Sequence, residues 1–177
     1  MRMNPFSRLL ATFAMAGVLT VARPVTAAEG ARSSETPAAR RVVVSIPDRK
    51  LALLENDQVV GIYPVAVGAS VSPSPVGTFT IVNRVSNPTY YKPGKAVGPG
   101  RANPIGTRWI GLSVKGYGIH GTDAPASIGF ARSHGCIRLR NQDVEQLFAR
   151  VRSGDVVELH AERTTEIAQL FGDGEER

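Results

Sequence analysis

Between Arg41 and His160 the apolar residues come in short, β-branched runs cut by turn residues, and only one stretch repeats with a helical period. That pattern confines the chain to a sheet-based fold, because Val, Ile, Thr and aromatic runs bounded by Gly, Pro, Asn and Asp suit a pleated, half-buried surface. Val42-Val43-Val44-Ser45-Ile46 stops at Pro47-Asp48, and residues 50–55 and 59–67 flank Asn56-Asp57-Gln58 as the arms of a hairpin. Val76-Gly77-Thr78-Phe79-Thr80-Ile81-Val82 alternates as a strand. Trp109-Ile110-Gly111-Leu112-Ser113-Val114 and Tyr117-Gly118-Ile119-His120 stand around a Lys115-Gly116 turn. Residues 133–139 read as extended, and Val156-Val157-Glu158-Leu159 as a last strand. The helical period is Val144, Leu147, Phe148 and Val151, with Asn141 as the expected cap, Asp143 and Glu145 in the first turn, and Gly154 closing the helix. The expected fold class is therefore mainly β (β-rich α+β): a single compact domain of about eight strands with one packed helix.

The ends differ from this body. Arg2 and Arg8 precede an apolar run over residues 9–22, and Val25-Thr26-Ala27-Ala28 ends in small residues, the layout of a cleavable export signal over residues 1–28. The run falls short of the ~20 residues a spanning helix needs. Residues 29–40 are polar, small and proline-containing, as a flexible linker would be, and residues 161–177 read as an acidic tail with a turn or two of helix. Losing Arg2, Arg8 and Arg23 with the signal, and no acid, lowers the net charge from +6 to +3. No Lys/Arg run of nucleic-acid type is present, so nucleic acid is not an expected partner. A lipid anchor at a mature amino terminus would need a cysteine there, and the sole cysteine is Cys136, so no stable membrane anchor is expected.

That cysteine is the chemical centre of the sequence. A single thiol in an exported chain is buried, paired with another chain, or reactive for a purpose. It stands in Ser133-His134-Gly135-Cys136-Ile137-Arg138, downstream of Ile119-His120-Gly121-Thr122-Asp123. A thiolate attacks carbonyl carbon, and an imidazole within hydrogen-bond reach generates it near neutral pH. In extended geometry His134 projects to the same face as Cys136, while His120 ends a strand that can lie beside residues 133–139; spacing leaves both open as the base. Gly135 permits a turn that exposes the thiol and leaves room for a substrate backbone facing nearby N–H groups. Arg138, also two residues from Cys136, is suited to a forked bond with a carboxylate, its competing role being an ion pair with Asp143. Residues 86–106, with Pro88, Pro93, Pro99 and Pro104, form a loop long enough to be a lid, and Tyr90, Tyr91 and Lys92 are its candidates for substrate contact. His120, His134, Cys136 and Asp123 make a poor zinc set, because a closed site wants four ligands, usually rich in thiolate; no metal or other cofactor is expected.

Taken together, His120-Gly121-Thr122-Asp123, Ile128-Gly129 and Ser133-His134-Gly135-Cys136-Ile137-Arg138-Leu139, followed by Asn141 and Asp143, resemble the signature of the L,D-transpeptidase catalytic domain of the YkuD type. Pro75-Val76-Gly77-Thr78-Phe79-Thr80-Ile81 and Asn103-Pro104-Ile105-Gly106 resemble further segments of that family, and the likeness extends over residues 41–160. The resemblance implies Cys136 as nucleophile, His120 as its base, the Gly121 carbonyl as the group orienting His120, and His134 as a residue lining the site. Ser133, Gly135, Arg138 and Tyr91 are then the substrate-side residues. It also implies a periplasmic enzyme acting on peptidoglycan stem peptides: a thioester forms at Cys136, D-alanine leaves, and an amine from another stem or a wall-attached lipoprotein resolves it. Two other outcomes share this reading of the residues, an L,D-carboxypeptidase using water and a catalytically inactive peptidoglycan-binding protein.

Overall fold

The computed structural model describes residues 39–172. The expected signal at residues 1–28 and almost all of the expected linker lie outside the described residues; Arg40, assigned to that linker, already opens the first strand. A meander of β1 (Arg40–Ser45), β2 (Lys50–Glu55) and β3 (Gln58–Pro64) comes first. Its β2–β3 turn is Asn56-Asp57, with φ of 50° and 60°. That left-handed pair lets a two-residue loop match the twist of its strands, and Asn and Asp tolerate it better than other side chains. Gln58 belongs to the strand, not to the turn.

After the short β4 (Val67–Gly68), β5 (Gly77–Ser86) runs ten residues, past the expected end at Val82. Next, β6 (Tyr90–Lys92) and β7 (Lys95–Val97) form a small hairpin inside the stretch read as loop. They were hidden because Pro88, Pro93 and Gly94 interrupt any alternation. The chain continues with β8 (Arg108–Leu112), β9 (Gly118–His120), β10 (Ala131–Ser133), β11 (Ile137–Arg138), α1 (Asn141–Arg150), β12 (Val156–His160) and α2 (Thr165–Phe171).

Eight strands make one sheet in the order β11-β9-β8-β5-β12-β1-β2-β3. The pairs β1–β12 and β9–β11 are parallel. Strand β5 joins the two halves: Gly77 to Thr80 pair with β12, and Ile81 to Ser86 pair with β8 across a register shift between Ile81 and Asn83. A bulge bends a strand and sharpens its twist, which curls the β8-β9-β11 end away from the first meander. β4 and β10 form a separate parallel pair, and Ala66 bridges to Arg138.

The main core packs Val42, Val44, Leu51 and Leu53 with Ile110, Ile119 and Ile137 and with Val144, Leu147 and Val151 from α1. The helix buries the periodic face expected of it, but its cap differs. Arg140 is the N-cap residue and Asn141 the first helical one, with its side chain directed elsewhere. Asp143 is the only acid of the first turn; Glu145 is two residues further on, 4.0 Å from Arg108. Helix α2, about two turns long, is the turn or two of helix expected in the tail; what the sequence does not announce is that it packs on the sheet. Thr164 Oγ1 caps it by accepting from the Ile167 N–H at 3.4 Å, and Ile167 and Phe171 are buried against Val43, Ala52 and Leu54. Burying two side chains of this size is worth roughly 1.5–3 kcal/mol each. It also explains why Val42-Val43-Val44 is apolar without alternation: β1 is covered on both faces. Among the described residues no helix is long and apolar enough to cross a membrane.

Candidate active site

The end of β9, the bend before β11 and the 86–106 stretch converge on a cleft of about 1030 Å³. Strand β11 lies parallel to β9 with Ile137 opposite Ile119 and Arg138 opposite His120. Residues level with each other on neighbouring strands project to the same side, so Arg138 stands beside His120, and Cys136, in the bend just before β11, has its thiol at the Gly118 main chain. All three of His120, Cys136 and Arg138 line the cleft. Gly118 is there for space: a Cβ at that position would come within 2.7 Å of the Trp109 indole.

Residues 133–139 are not one extended segment. Gly135 has φ of 104°, and the chain bends at His134, Gly135 and Cys136 between β10 and β11. A side chain at 135 would also meet the Tyr117 ring at 2.5 Å and the Pro73 carbonyl at 3.0 Å. Ser133 holds the bend: its hydroxyl donates to the Cys136 carbonyl at 2.6 Å and accepts from the Gly135 N–H at 3.0 Å. With only 2% of its surface exposed, Ser133 is buried, as is Gly135; neither lines the cleft, and both shape the thiol loop. The Gly135 N–H, engaged by Ser133, is not a free donor for an oxyanion. His134 is exposed and lines the cleft, although the same-face argument from an extended strand does not apply to a bend.

His120 is 4% exposed. Its ring stacks on Trp109, which lies opposite it on β8, with centroids 5.6 Å apart and planes at 19°. The Trp109 N–H donates to Asn83 Oδ1 at 3.1 Å and so holds the indole in turn. His120 Nδ1 is 2.5 Å from the Gly121 carbonyl, a geometry that places the proton on Nδ1 and leaves Nε2 as an acceptor. Burial lowers the His120 pKa to about 4, with the Gly121 bond opposing the shift and the charge of Arg138 adding to it. Burial raises the Cys136 thiol above its ordinary value, against the pull of a main-chain hydrogen bond at Gly118 and of Arg138. Cys136 Sγ also lies 3.8 Å from the Gly116 carbonyl, to which the S–H donates. At neutral pH this is a pair of uncharged groups.

Arg138 does not pair with Asp143, which reaches Arg140 at 3.9 Å instead. Among the described residues no carboxylate lies within salt-bridge distance of Arg138, which remains half-buried at the cleft. Tyr91, 75% exposed, lines the opposite wall beside Lys92 on β6. Asn103, fully buried, supports that wall: its Nδ2 lies 2.7 Å from the Pro88 carbonyl and 3.1 Å from that of Gly98, and its Oδ1 accepts from Ile105 N–H at 3.0 Å. Trp109, Asn103 and Asn141 were not read as site residues. An asparagine before proline in a long loop was the available signal for Asn103. Nothing in strand periodicity distinguishes Trp109 from an ordinary half-buried aromatic.

The model of the YkuD family, the L,D-transpeptidase catalytic domain, matches residues 39–159. The chain belongs to that family. It is 43% identical over 119 residues to YkuD of Bacillus licheniformis, named as a candidate L,D-transpeptidase, an alignment covering 67% of this chain and 64% of that protein. It is 41% identical to YkuD of Bacillus subtilis, over 67% of this chain and 65% of the relative. The chain thus spans a little under two thirds of the length of these relatives. The crystal structure of an L,D-transpeptidase from Mycobacterium tuberculosis H37Rv superposes with a TM-score of 0.61 at 21% identity, covering 70% of this chain and 58% of that one. At that identity the likeness is one of fold, and this L,D-transpeptidase domain shares it, with the Cys136 cleft at the β9–β11 edge of its sheet.

Proposed function

We propose that this L,D-transpeptidase domain acts on peptidoglycan stem peptides outside the cytoplasm, with Cys136 as the nucleophile and His120 as its base. The observation that carries the reading is the β9–β11 pairing, which brings His120, Cys136 and Arg138 onto one cleft while the Gly121 carbonyl keeps Nε2 of His120 available as a proton acceptor. His120 Nε2 takes the thiol proton as Sγ bonds to the carbonyl carbon of the third stem residue. The tetrahedral adduct collapses with cleavage of the C–N bond, His120 returns the proton to the departing D-alanine amine, and a thioester remains. An acceptor amine then attacks that carbonyl, gives its proton to His120, and the C–S bond breaks to restore the thiol. Because both groups are neutral at rest, charge separates only as the C–S bond forms, and Arg138, half-buried and without a carboxylate partner among the described residues, holds an anionic group of the stem in this reading.

Export rests on the arginine-apolar-small layout of residues 1–28. A stem amine or a wall-attached lipoprotein amine is the acceptor in this reading. The test is incubation of the protein lacking residues 1–28 with a disaccharide-tetrapeptide, followed by mass spectrometry. Release of D-alanine with formation of a cross-linked dimer is expected, and Cys136→Ala abolishes both. A tripeptide product alone indicates water as the acceptor. An intact substrate, with no acyl mass at Cys136 on addition of a carbapenem but with retention of the protein on sacculi, means that the cleft binds without reacting.

A further inference from the structure

The peptide unit between Gly121 and Thr122 is bonded at both ends. Its carbonyl, on Gly121, faces His120 Nδ1 at 2.5 Å, and its N–H, on Thr122, donates to Asn141 Oδ1 at 3.2 Å. In a trans peptide the C=O and N–H point in opposite directions, so one plane lies between the imidazole on one side and the Asn141 side chain on the other. The same Oδ1 accepts from Thr107 N–H at 3.2 Å, and an atom facing two N–H donors must be the amide oxygen. Two glycines make room for it: a Cβ at Gly106 would stand 2.1 Å from Asn141 Oδ1, and a Cβ at Gly121 would stand 2.2 Å from it. Asn141 is the first residue of α1, so this oxygen is carried on a rigid element anchored in the core through Val144 and Leu147.

We infer that Asn141 is a positioning residue for His120: through the Gly121–Thr122 peptide it fixes the carbonyl that holds the proton on Nδ1 and leaves Nε2 free to accept one in the cleft that Cys136 also lines. Without Asn141 Oδ1 the Thr122 N–H loses its partner, the peptide plane is free to rotate, and the imidazole loses the acceptor that selects its tautomer. A chain of aligned bonds, Nδ1–H to C=O and N–H to Oδ1, also lets a charge placed at position 141 act on the imidazole.

The test compares wild type, Asn141→Ala and Asn141→Asp, each shown to be folded by its thermal melt. Nitrogen NMR of labelled histidine reads the His120 tautomer directly and requires no substrate, so this arm stands even if the peptidoglycan reading fails. Acylation by a carbapenem supplies the rate arm, which rests on Cys136 being the nucleophile; an absence of acylation in wild type would count against that reading and leave the tautomer result standing. Wild type is expected to show one tautomer with the proton on Nδ1. Asn141→Ala should show a mixture and acylate roughly ten- to a hundredfold more slowly, through the rate constant and not through saturation, as for a misaligned base. Asn141→Asp keeps the acceptor, so the Nδ1 tautomer should return, and its negative charge should move the acid limb of the acylation rate to higher pH. Should Asn141→Ala not fold, Asn141→Asp and Asn141→Ser carry the comparison with the same readouts. An unchanged tautomer in the variants that lack the Oδ1 acceptor, or an acid limb unmoved in Asn141→Asp, would overturn the inference.

Discussion

The depressed basicity of His120 makes a quantitative demand on stability. In the unfolded chain the imidazole titrates near its ordinary value of 6.5, and in the folded protein burial brings this to about 4. Between those pH values the unfolded state binds a proton that the folded state does not, so stability falls as the pH drops from 6.5 towards 4 and this contribution levels off below. The separation, at about 1.4 kcal/mol per pH unit, amounts to about 3 kcal/mol. Urea denaturation of wild type and of His120→Gln near neutrality and near pH 4 would measure it as a difference of differences, in which His134, His160 and the carboxylates common to both proteins cancel. Wild type is expected to lose about 3 kcal/mol more than the variant across the window. Equal losses in the two proteins would refute the argument, since they would mean that His120 accepts its proton in the fold as readily as in water.

Other consequences follow from the same geometry. Arg138→Gln should raise KM for an anionic stem peptide about ten- to a hundredfold, the worth of a charge-assisted hydrogen bond, and the wild-type KM should rise with salt while that of the variant should not. Because burial holds the Cys136 thiol above its ordinary range, iodoacetamide should alkylate it more slowly than free cysteine at neutral pH, with a rate still climbing at about pH 9; a plateau well below that pH would contradict the shift. Phe171→Ala should cost about 3 kcal/mol in urea denaturation without changing carbapenem acylation, because Phe171 packs against Val43, Ala52 and Leu54, on the face of β1 opposite the main core.

Most of the sheet was legible because β-branched runs bounded by Asn-Asp, Gly and Pro state their own limits, as at Val42-Val43-Val44 and around Asn56-Asp57. What the pattern lacked is information carried by partners. Helix α2 buries only Ile167 and Phe171 fully, too few positions for a period to stand out in a seven-residue segment. The β6–β7 hairpin is held from outside by Asn103, a loop residue more than five positions from Tyr91. At the site, the residue types were readable and their orientations were not. Ser133 and Gly135 belong to the cysteine motif, yet a positive φ and an inward hydroxyl give them the task of bending the chain. Asn141 shows the same gap: its place at the start of a helix suggested capping, but two N–H donors from distant loops compete for its oxygen, and no local rule anticipates them.

Under the proposed function, the placement of the thiol bears on how a nucleophilic cysteine would persist where oxidants are present. Oxidation proceeds through the thiolate, so a cysteine kept ionised by a charged histidine would be exposed between turnovers as well as during them. Here burial acts on both groups in the direction of neutrality: it raises Cys136 and lowers His120, and in the proposed mechanism neither charged form is favoured until a substrate carbonyl accepts the sulfur electrons. Arg138 opposes this at the cysteine and reinforces it at the histidine, which makes its effect on the thiol depend on what occupies the cleft. An anionic group that neutralised Arg138 would weaken both influences, so that His120 accepts a proton more readily while the thiol gives one up less readily. Occupancy of the cleft and the proton balance of Cys136 and His120 are then linked through one guanidinium, level with His120 and two residues from the cysteine.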